Sequence, residues 1–276
     1  MEDEAKAGKH YETGNKFLDS GKFEEACAEY EKAIQLKQNF SDAYNNCVHA
    51  YNSWGNVLLN QQRYEEAIEK YKRAIELKPD YVFAYYNWGL ALANLKRYGE
   101  AIEKYRQALE LKPDYADAYH DWGNALYGQR LYEEAIEKYR KATELKPDYA
   151  FAYRNWGLVL VNLKNYEEAI ERFKKATELK PDYVDAYNDW GLALANLKRY
   201  GEATERYEQA VKLKPDYIFA YYNWGLALAN LKRYGEAIEK YRQALELKPD
   251  YVDVYNDWGN ALYDQKLYEE AIEKYR

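Results

Sequence analysis

Apolar and small residues return along this chain at helical spacing. Within residues 84–94, Tyr85, Trp88, Gly89 and Leu92 fall at i, i+3, i+4 and i+7, which is one face of an α-helix. A second run, Ala101, Tyr105, Ala108 and Leu111, keeps the same kind of spacing. The polar stretch Asn94-Leu95-Lys96-Arg97 between them predicts a tight turn. Pro113-Asp114 closes the segment, because proline cannot sit inside a helix and Asp is expected to cap the next one. The pattern predicts a helical hairpin.

The hairpin recurs. Trp54, Trp88, Trp122, Trp156, Trp190, Trp224 and Trp258 are all the tryptophans, 34 residues apart, and each is followed by glycine. A period of that length predicts about sixteen helices in eight modules, with each module burying its apolar face against its neighbours and no single core. The Trp-Gly pair is expected at the packing seam, with the glycine letting the two helices of a hairpin approach and Ala101 and Ala108 facing it.

Residues 1–50 obey the same grammar in other words. Gly14, Phe17, Ala26, Tyr30 and Ala33 match Gly55, Leu58, Ala67, Tyr71 and Ala74, but Thr13 stands at the tryptophan place and Gln38 at the proline place. Polar substitution of this kind suits a terminal repeat. The register also slips: Gly14 to Gly55 is 41 residues, seven more than every later step, and the doublet Ala43-Tyr44 and Ala50-Tyr51 marks the extra heptad. Seven residues turn a helix face by only about 20°. One continuous helix can therefore carry them, either as a fusion junction or as drift of an end repeat. The regular modules then run over residues 51–276, the last of them truncated.

These residues resemble the tetratricopeptide repeat. Its signature, W-x2-L-G-x2-Y followed by A-x3-F and a closing P, is met here by Tyr85-x2-Trp88-Gly89-x2-Leu92, Ala101-x3-Tyr105, Ala108 and Pro113, with Trp, Leu and Tyr permuted to Tyr, Trp and Leu. The resemblance implies an all-α fold, a right-handed α-solenoid superhelix of about eight 34-residue helix-turn-helix repeats. It also implies a protein-protein interaction scaffold, with the first helix of each module lining the concave side.

Composition narrows the chemistry. Net charge is -7, from 47 acidic and 40 basic residues, which gives no electrostatic reason to approach nucleic acid or anionic lipid. Aromatic residues make up 17% of the chain, most of them among its 33 tyrosines, and predict ring-built interfaces. Cys27 and Cys47 are the only cysteines, read as free thiols of a reducing cytoplasm. No apolar run reaches the roughly 20 residues of a membrane span, and the acidic start lacks a secretory h-region. His10, His49 and His120 lie in different modules without a recurrent nucleophile or acid partner. No enzyme, cofactor or metal is expected.

Function is then expected on the first helices, where two positions alternate. Phe83, Phe151 and Phe219 alternate with Asp117, Asp185 and Asp253. Four residues on, Asn87, Asn155 and Asn223 alternate with Asp121, Asp189 and Asp257. The paired carboxylates are too few for a hard cation, which wants six or more oxygens. Tyr86, Leu90, Leu158, Tyr222 and Leu226 complete apolar bands, and Asn124, Asn188 and Asn256 add amides to the acidic ones. Arg154 and His120 are the basic groove candidates, and each has an Asp within reach. Such a groove would take an extended or helical peptide carrying apolar and basic residues. The family's carboxylate clamp does not fit: Asn15 matches one position, but Tyr11, Phe83 and Asn87 stand where lysine and arginine are needed.

The alternative is a structural or self-stacking solenoid. Residues 83–115 recur almost unchanged as 219–251, a four-module duplication that arises by recent expansion of a natural array or by assembly from a consensus. At Arg276 the last module still wants its final Ala and proline, and the apolar face there is expected to stack head-to-tail on another chain.

Overall fold

A computed structural model describes residues 2–276. The chain divides into two compact units, the first ending at Leu145 and the second running from Lys146 to Arg276. The first comprises α1 (Glu2–Asp19), α2 (Phe23–Leu36), α3 (Ser41–Asn60), α4 (Tyr64–Leu77), α5 (Val82–Asn94), α6 (Tyr98–Leu111), α7 (Ala116–Gly128) and α8 (Tyr132–Leu145). The second comprises α9 (Ala150–Asn162), α10 (Tyr166–Leu179), α11 (Val184–Asn196), α12 (Tyr200–Leu213), α13 (Ile218–Asn230), α14 (Tyr234–Leu247), α15 (Val252–Asp264) and α16 (Tyr268–Tyr275). Among the described residues there is no strand, so the all-α expectation of sixteen helices holds.

Each odd-numbered helix pairs with the even-numbered helix after it as a hairpin. Within each unit successive first helices also touch, as α3 does α5 and α11 does α13, whereas successive second helices do not. The first helices therefore line the inner side of each unit.

A ring holds each hairpin closed. A Cβ placed on Gly89 would lie 2.5 Å from Cε1 of Tyr105, a side chain with no exposed surface. The same glycine-to-ring approach recurs in every hairpin, with Phe173 serving in place of tyrosine against Gly157. Ala101 and Ala108 are fully buried on the same helix, but it is the aromatic ring, not these alanines, that fills the space beside the glycine. Glycine is required because the ring plane lies where any side chain would begin.

The adjoining tryptophan is covered differently. Lys104 Nζ sits 4.1 Å from the Trp88 ring centroid, and a lysine or arginine takes that place in all seven tryptophan modules, at 3.8 to 4.5 Å. Each such contact contributes about 0.5–1 kcal/mol. Desolvation beside the ring pushes the Lys104 ammonium below its ordinary range.

Turn chemistry departs from expectation at two places. The residue that starts each regular first helix is the tyrosine after Pro-Asp, not the Asp: Tyr115 is the N-cap of α7 and makes no side-chain cap, while its carbonyl accepts the Ala118 N–H at 3.1 Å. The tyrosine ring packs between modules, so the position is chosen for packing rather than for capping. In the hairpin turns a left-handed residue is needed, and Lys96 supplies it at φ 60. It lets Arg97 N–H reach the Leu92 carbonyl at 2.9 Å.

α3 runs unbroken through the extra heptad, with 20 residues where α5 has 13. Its first half keeps register with α1: Asn46 Nδ2 donates to Tyr11 Oη, 35 residues away, as Asn87 Nδ2 does to Asn52 Oδ1. Its second half carries Gly55 against Tyr71. Two module heads thus share one helix. Cys27 and Cys47 are buried at this junction, where their mutual hydrogen bond and burial push the Cys27 thiol up.

Replacing Gly89 by Ala is expected to destabilise the chain by about 2–3 kcal/mol in chemical denaturation, because the Tyr105 ring has nowhere to move. Gly201→Ala, where nothing lies within 4 Å of the new Cβ, is expected to stabilise by about 0.5–1 kcal/mol. Equal effects at the two sites would refute the ring constraint.

Candidate functional site

The inner-side positions expected to bind are tied together by polar contacts between modules. In the first unit Tyr86 donates its O–H to Asp121 at 2.7 Å. Asp121 also meets His120 Nδ1 at 3.0 Å and accepts from Asn124 Nδ2 at 3.1 Å. Asn87 donates to Asn52 at 3.0 Å. In the second unit Tyr222 donates to Asp257 at 2.8 Å and Asn223 to Asn188 at 3.0 Å. Arg154 Nε takes the place of the tyrosine hydroxyl and meets Asp189 at 2.7 Å. Asp185 accepts the Tyr217 hydroxyl at 2.7 Å. An odd position on one first helix therefore matches an even one on the next, which is the physical content of the alternation.

Burial separates these residues. Phe83 and Phe151 are 47% exposed and Phe219 is 57% exposed. Asp253 and Asn256 are also exposed, whereas His120, Asn188 and Asp189 are buried. Asp117, Asn155, Leu158 and the remaining expected residues are half-buried. Each Phe stands edge-on to a tyrosine: Phe83 to Tyr115 at 6.1 Å, Phe151 to Tyr183 at 5.2 Å and Phe219 to Tyr217 at 6.0 Å. Both expected basic groove residues are engaged with Asp, and burial raises the carboxyl of Asp189 although Arg154 opposes the shift. Among the described residues no cluster of three His, Cys, Asp or Glu side chains is arranged to hold a metal.

Notches open between neighbouring first helices. One, of ≈ 310 Å³, is lined by Leu90, Asn94, Tyr98, Tyr105, Asp121 and Asn124 among others. Its counterpart of ≈ 260 Å³ in the second unit is lined by Leu192, Asn196, Tyr200, Tyr207, Asn223, Leu226 and Asn230 among others. Asn94, Tyr98 and Tyr105 were not expected as site residues. A signal for them lies in the fifth residue after each module glycine, which is Asn in five modules; Asn94, Asn162, Asn196 and Asn230 bond their own helix, as Asn94 Nδ2 does the Leu90 carbonyl at 2.9 Å.

The residue after each module glycine decides whether the closing ring has a polar partner. Tyr30, Tyr71, Tyr139 and Tyr275 donate to Asn15, Asn56, Asn124 and Asn260 at 2.7 to 2.9 Å. Leu158 stands opposite Phe173, an apolar pair. Tyr105, Tyr207 and Tyr241 stand opposite Leu90, Leu192 and Leu226, and of these the hydroxyls of Tyr105 and Tyr241 are buried with no hydrogen-bond partner among the described residues.

Two outcomes follow from this geometry. Tyr71→Phe is expected to cost about 1 kcal/mol in equilibrium unfolding, whereas Tyr105→Phe is expected to be neutral or stabilising. Arg154→Ala is expected to cost about 3 kcal/mol at neutral pH, because it leaves the Asp189 carboxylate buried and unpaired. Since burial raises the folded-state pKa of Asp189 above its unfolded value, protonation favours folding. The variant's deficit relative to the parent should therefore shrink as pH falls through the raised carboxyl range and return as pH rises through it. A deficit independent of pH would exclude the buried charge as its cause.

Comparison with curated proteins found no significant match. Among solved structures the chain is similar to YrrB, described as a TPR protein with an unusual peptide-binding site, at 26% identity and TM-score 0.58 over 71% of this chain and 97% of that one. It is similar to MamA at 27% identity and TM-score 0.56 over 60% of this chain and 96% of MamA. It also shares its fold with Pseudomonas aeruginosa pilF, at 21% identity and TM-score 0.68 over 80% of this chain and 99% of pilF. The TPR repeat model matches residues 14–52, 55–96, 94–129, 131–164, 157–198, 191–232 and 227–266. With the repeat matched along nearly its whole length, this chain belongs to the tetratricopeptide repeat family.

Proposed function

We propose that the chain is a non-catalytic scaffold that binds an extended or helical peptide segment on the inner face of its first helices. The observation that carries this reading is the exposure of Phe83, Phe151 and Phe219 at one recurring inner position, alternating with the acidic positions Asp117, Asp185 and Asp253. Exposed aromatic rings on a rigid helical frame supply contact area at little ordering cost. Half-exposed phenylalanines are unfavourable in water, and a bound apolar side chain would cover them. The intervening carboxylates favour a ligand with basic residues. YrrB, described as having a peptide-binding site, supports the class of ligand. The two buried free thiols suit a reducing compartment.

A peptide array of twelve-residue segments with alternating apolar and basic residues tests the proposal. Binders are expected to lose at least about tenfold in affinity when Phe83, Phe151 and Phe219 are all replaced by Ala, with the circular dichroism spectrum unchanged. Affinity that survives the triple replacement would overturn the assignment of the inner face.

A further inference from the structure

The notch between α5 and α7 contains a polar group that the fold does not use. Tyr105 lines it and is fully buried, and its hydroxyl has no hydrogen-bond partner among the described residues. In sister hairpins this hydroxyl reaches an Asn at the place where Leu90 stands here, so it points toward the Leu90 wall of the notch. Leaving a buried hydroxyl unpaired is unfavourable, and substitution by phenylalanine removes the penalty. The fold accepts that substitution, as Phe173 demonstrates.

Asp121 lines the same notch. Its neighbours are the Tyr86 hydroxyl at 2.7 Å, His120 Nδ1 at 3.0 Å and Asn124 Nδ2 at 3.1 Å, and no lysine or arginine lines the notch. The carboxylate and the desolvated ring are close enough that Asp121 adds to the upward shift of the Tyr105 phenol. The same residues recur 136 positions on: Leu226, Ala229, Asn230, Tyr234, Tyr241 and Asp257 repeat Leu90, Ala93, Asn94, Tyr98, Tyr105 and Asp121. There too, among the described residues, the Tyr241 hydroxyl is buried without a partner, and Asp257 accepts from neutral donors, Tyr222 at 2.8 Å and Asn260 at 3.4 Å.

A third acid provides an internal control. Asp189 occupies the equivalent place in the α9–α11 step, but there the chain supplies its own cation, Arg154, at 2.7 Å. At that step the hydroxyl is gone as well, because Phe173 stands where Tyr105 and Tyr241 stand. The orphan hydroxyl stands beside an acid without a lysine or arginine partner at Tyr105 and Tyr241, and neither feature is present at the Arg154 step. In the α11–α13 notch Asn223 replaces the acid, and Tyr207 is kept over Leu192 without being a buried orphan, so that notch carries neither the acid nor the unpaired buried hydroxyl.

We propose that the Tyr105–Asp121 notch, and by the repeated residues the Tyr241–Asp257 position, are subsites for a primary ammonium, the side chain of a lysine in a bound polypeptide segment. The inference rests on the peptide-binding reading of the inner face. An ammonium carries three donors. Asp121 accepts one, the Tyr105 oxygen a second, and the Asn94 side-chain carbonyl a third, since its amide nitrogen is already committed to the Leu90 carbonyl. Leu90, Ala93 and Tyr98 offer apolar walls for the lysine methylenes. A guanidinium suits the notch less well, because a planar fork wants both oxygens of one carboxylate and those of Asp121 already accept Tyr86 and Asn124.

The test uses the full chain with 13C-labelled tyrosine rings and n-butylammonium as probe, with 1-butanol and n-butylguanidinium as comparators at constant ionic strength. Saturable shifts of Tyr105 and Tyr241 with the ammonium alone are expected. They should be lost in Asp121→Asn/Asp257→Asn, and weakened about tenfold in Tyr105→Phe/Tyr241→Phe, a pair that keeps both packing rings. Shifts that fail to saturate, or that persist in the Asn variants, would overturn the subsites. Peptides selected on the array are then compared with lysine replaced by norleucine. Equal binding of the two removes the ammonium subsites and leaves the peptide reading standing, whereas Asp-dependent butylammonium binding with no peptide captured removes the peptide reading and leaves the subsites.

Discussion

Everything in this fold depends on an aromatic ring lying flat against a glycine. In each hairpin the second helix places a tyrosine or phenylalanine where the first helix can tolerate no side chain, and that ring sets how closely the two helices approach. Burying a whole aromatic side chain is worth about 2–3 kcal/mol, so the contact is the largest apolar term available within a module. Its position also orients the neighbours. With the ring over the glycine, the adjacent tryptophan lies at the edge of the seam, and its open face receives a lysine or arginine one residue before the ring. One geometric choice therefore specifies a glycine, an aromatic, a tryptophan and a cation together, and the four recur as a set.

Stacking of modules follows a second rule, carried by polar side chains. Fully buried alanines such as Ala84, Ala118, Ala186 and Ala220 allow close approach between modules but carry little orientation of their own. The hydrogen bonds Asn87 to Asn52 and Tyr86 to Asp121 join neighbouring first helices and tie an odd module to the even ones on either side. Because donor and acceptor types differ at the two positions, a shift of one module would set Asn against Asp and Tyr against Asn. Module order is thus written in the same residues that face the inner side. Arg154 and Asp189 show the limit of this arrangement, since a pair that buried contributes by avoiding the penalty of separation rather than by net attraction.

The hairpins, their turns and the Trp-Gly seam were legible because glycine, proline and large rings leave marks at fixed spacing. The long α3 was legible for the same reason, since a heptad preserves the helix face. Other features left weaker marks. The tyrosine N-cap leaves no mark because Pro-Asp reads as a helix start from local chemistry alone, whereas Tyr115 is held by its ring contacts with Phe83 and Tyr86 of the preceding module. The left-handed Lys96 carries no mark of its turn role, since its conformation is imposed by the hairpin on a residue that does not prefer it. On the inner face the sequence places an Asp within reach of Arg154 and His120 but does not show which residues of neighbouring helices meet. The alternation along this face is plain in the sequence, but the contacts that explain it join residues 35 apart and are visible only when helices are placed side by side.

Structural and recognition roles on this face can be told apart by what the fold does elsewhere. An array of near-copies tests its own substitutions, because each position is sampled under nearly constant packing. Where tyrosine meets asparagine the hydroxyl is satisfied, and where phenylalanine meets leucine the apolar pair is complete. Both solutions close the hairpin. Tyrosine stands over leucine at Tyr105, Tyr207 and Tyr241, and at Tyr105 and Tyr241 the hydroxyl is buried without a partner among the described residues, beside an acid that meets no lysine or arginine there. Stability alone would replace that hydroxyl by hydrogen, as at Phe173. At Tyr105 and Tyr241 the hydroxyl is kept beside Asp121 and Asp257, and the proposed lysine ammonium would give it the partner that the fold does not supply.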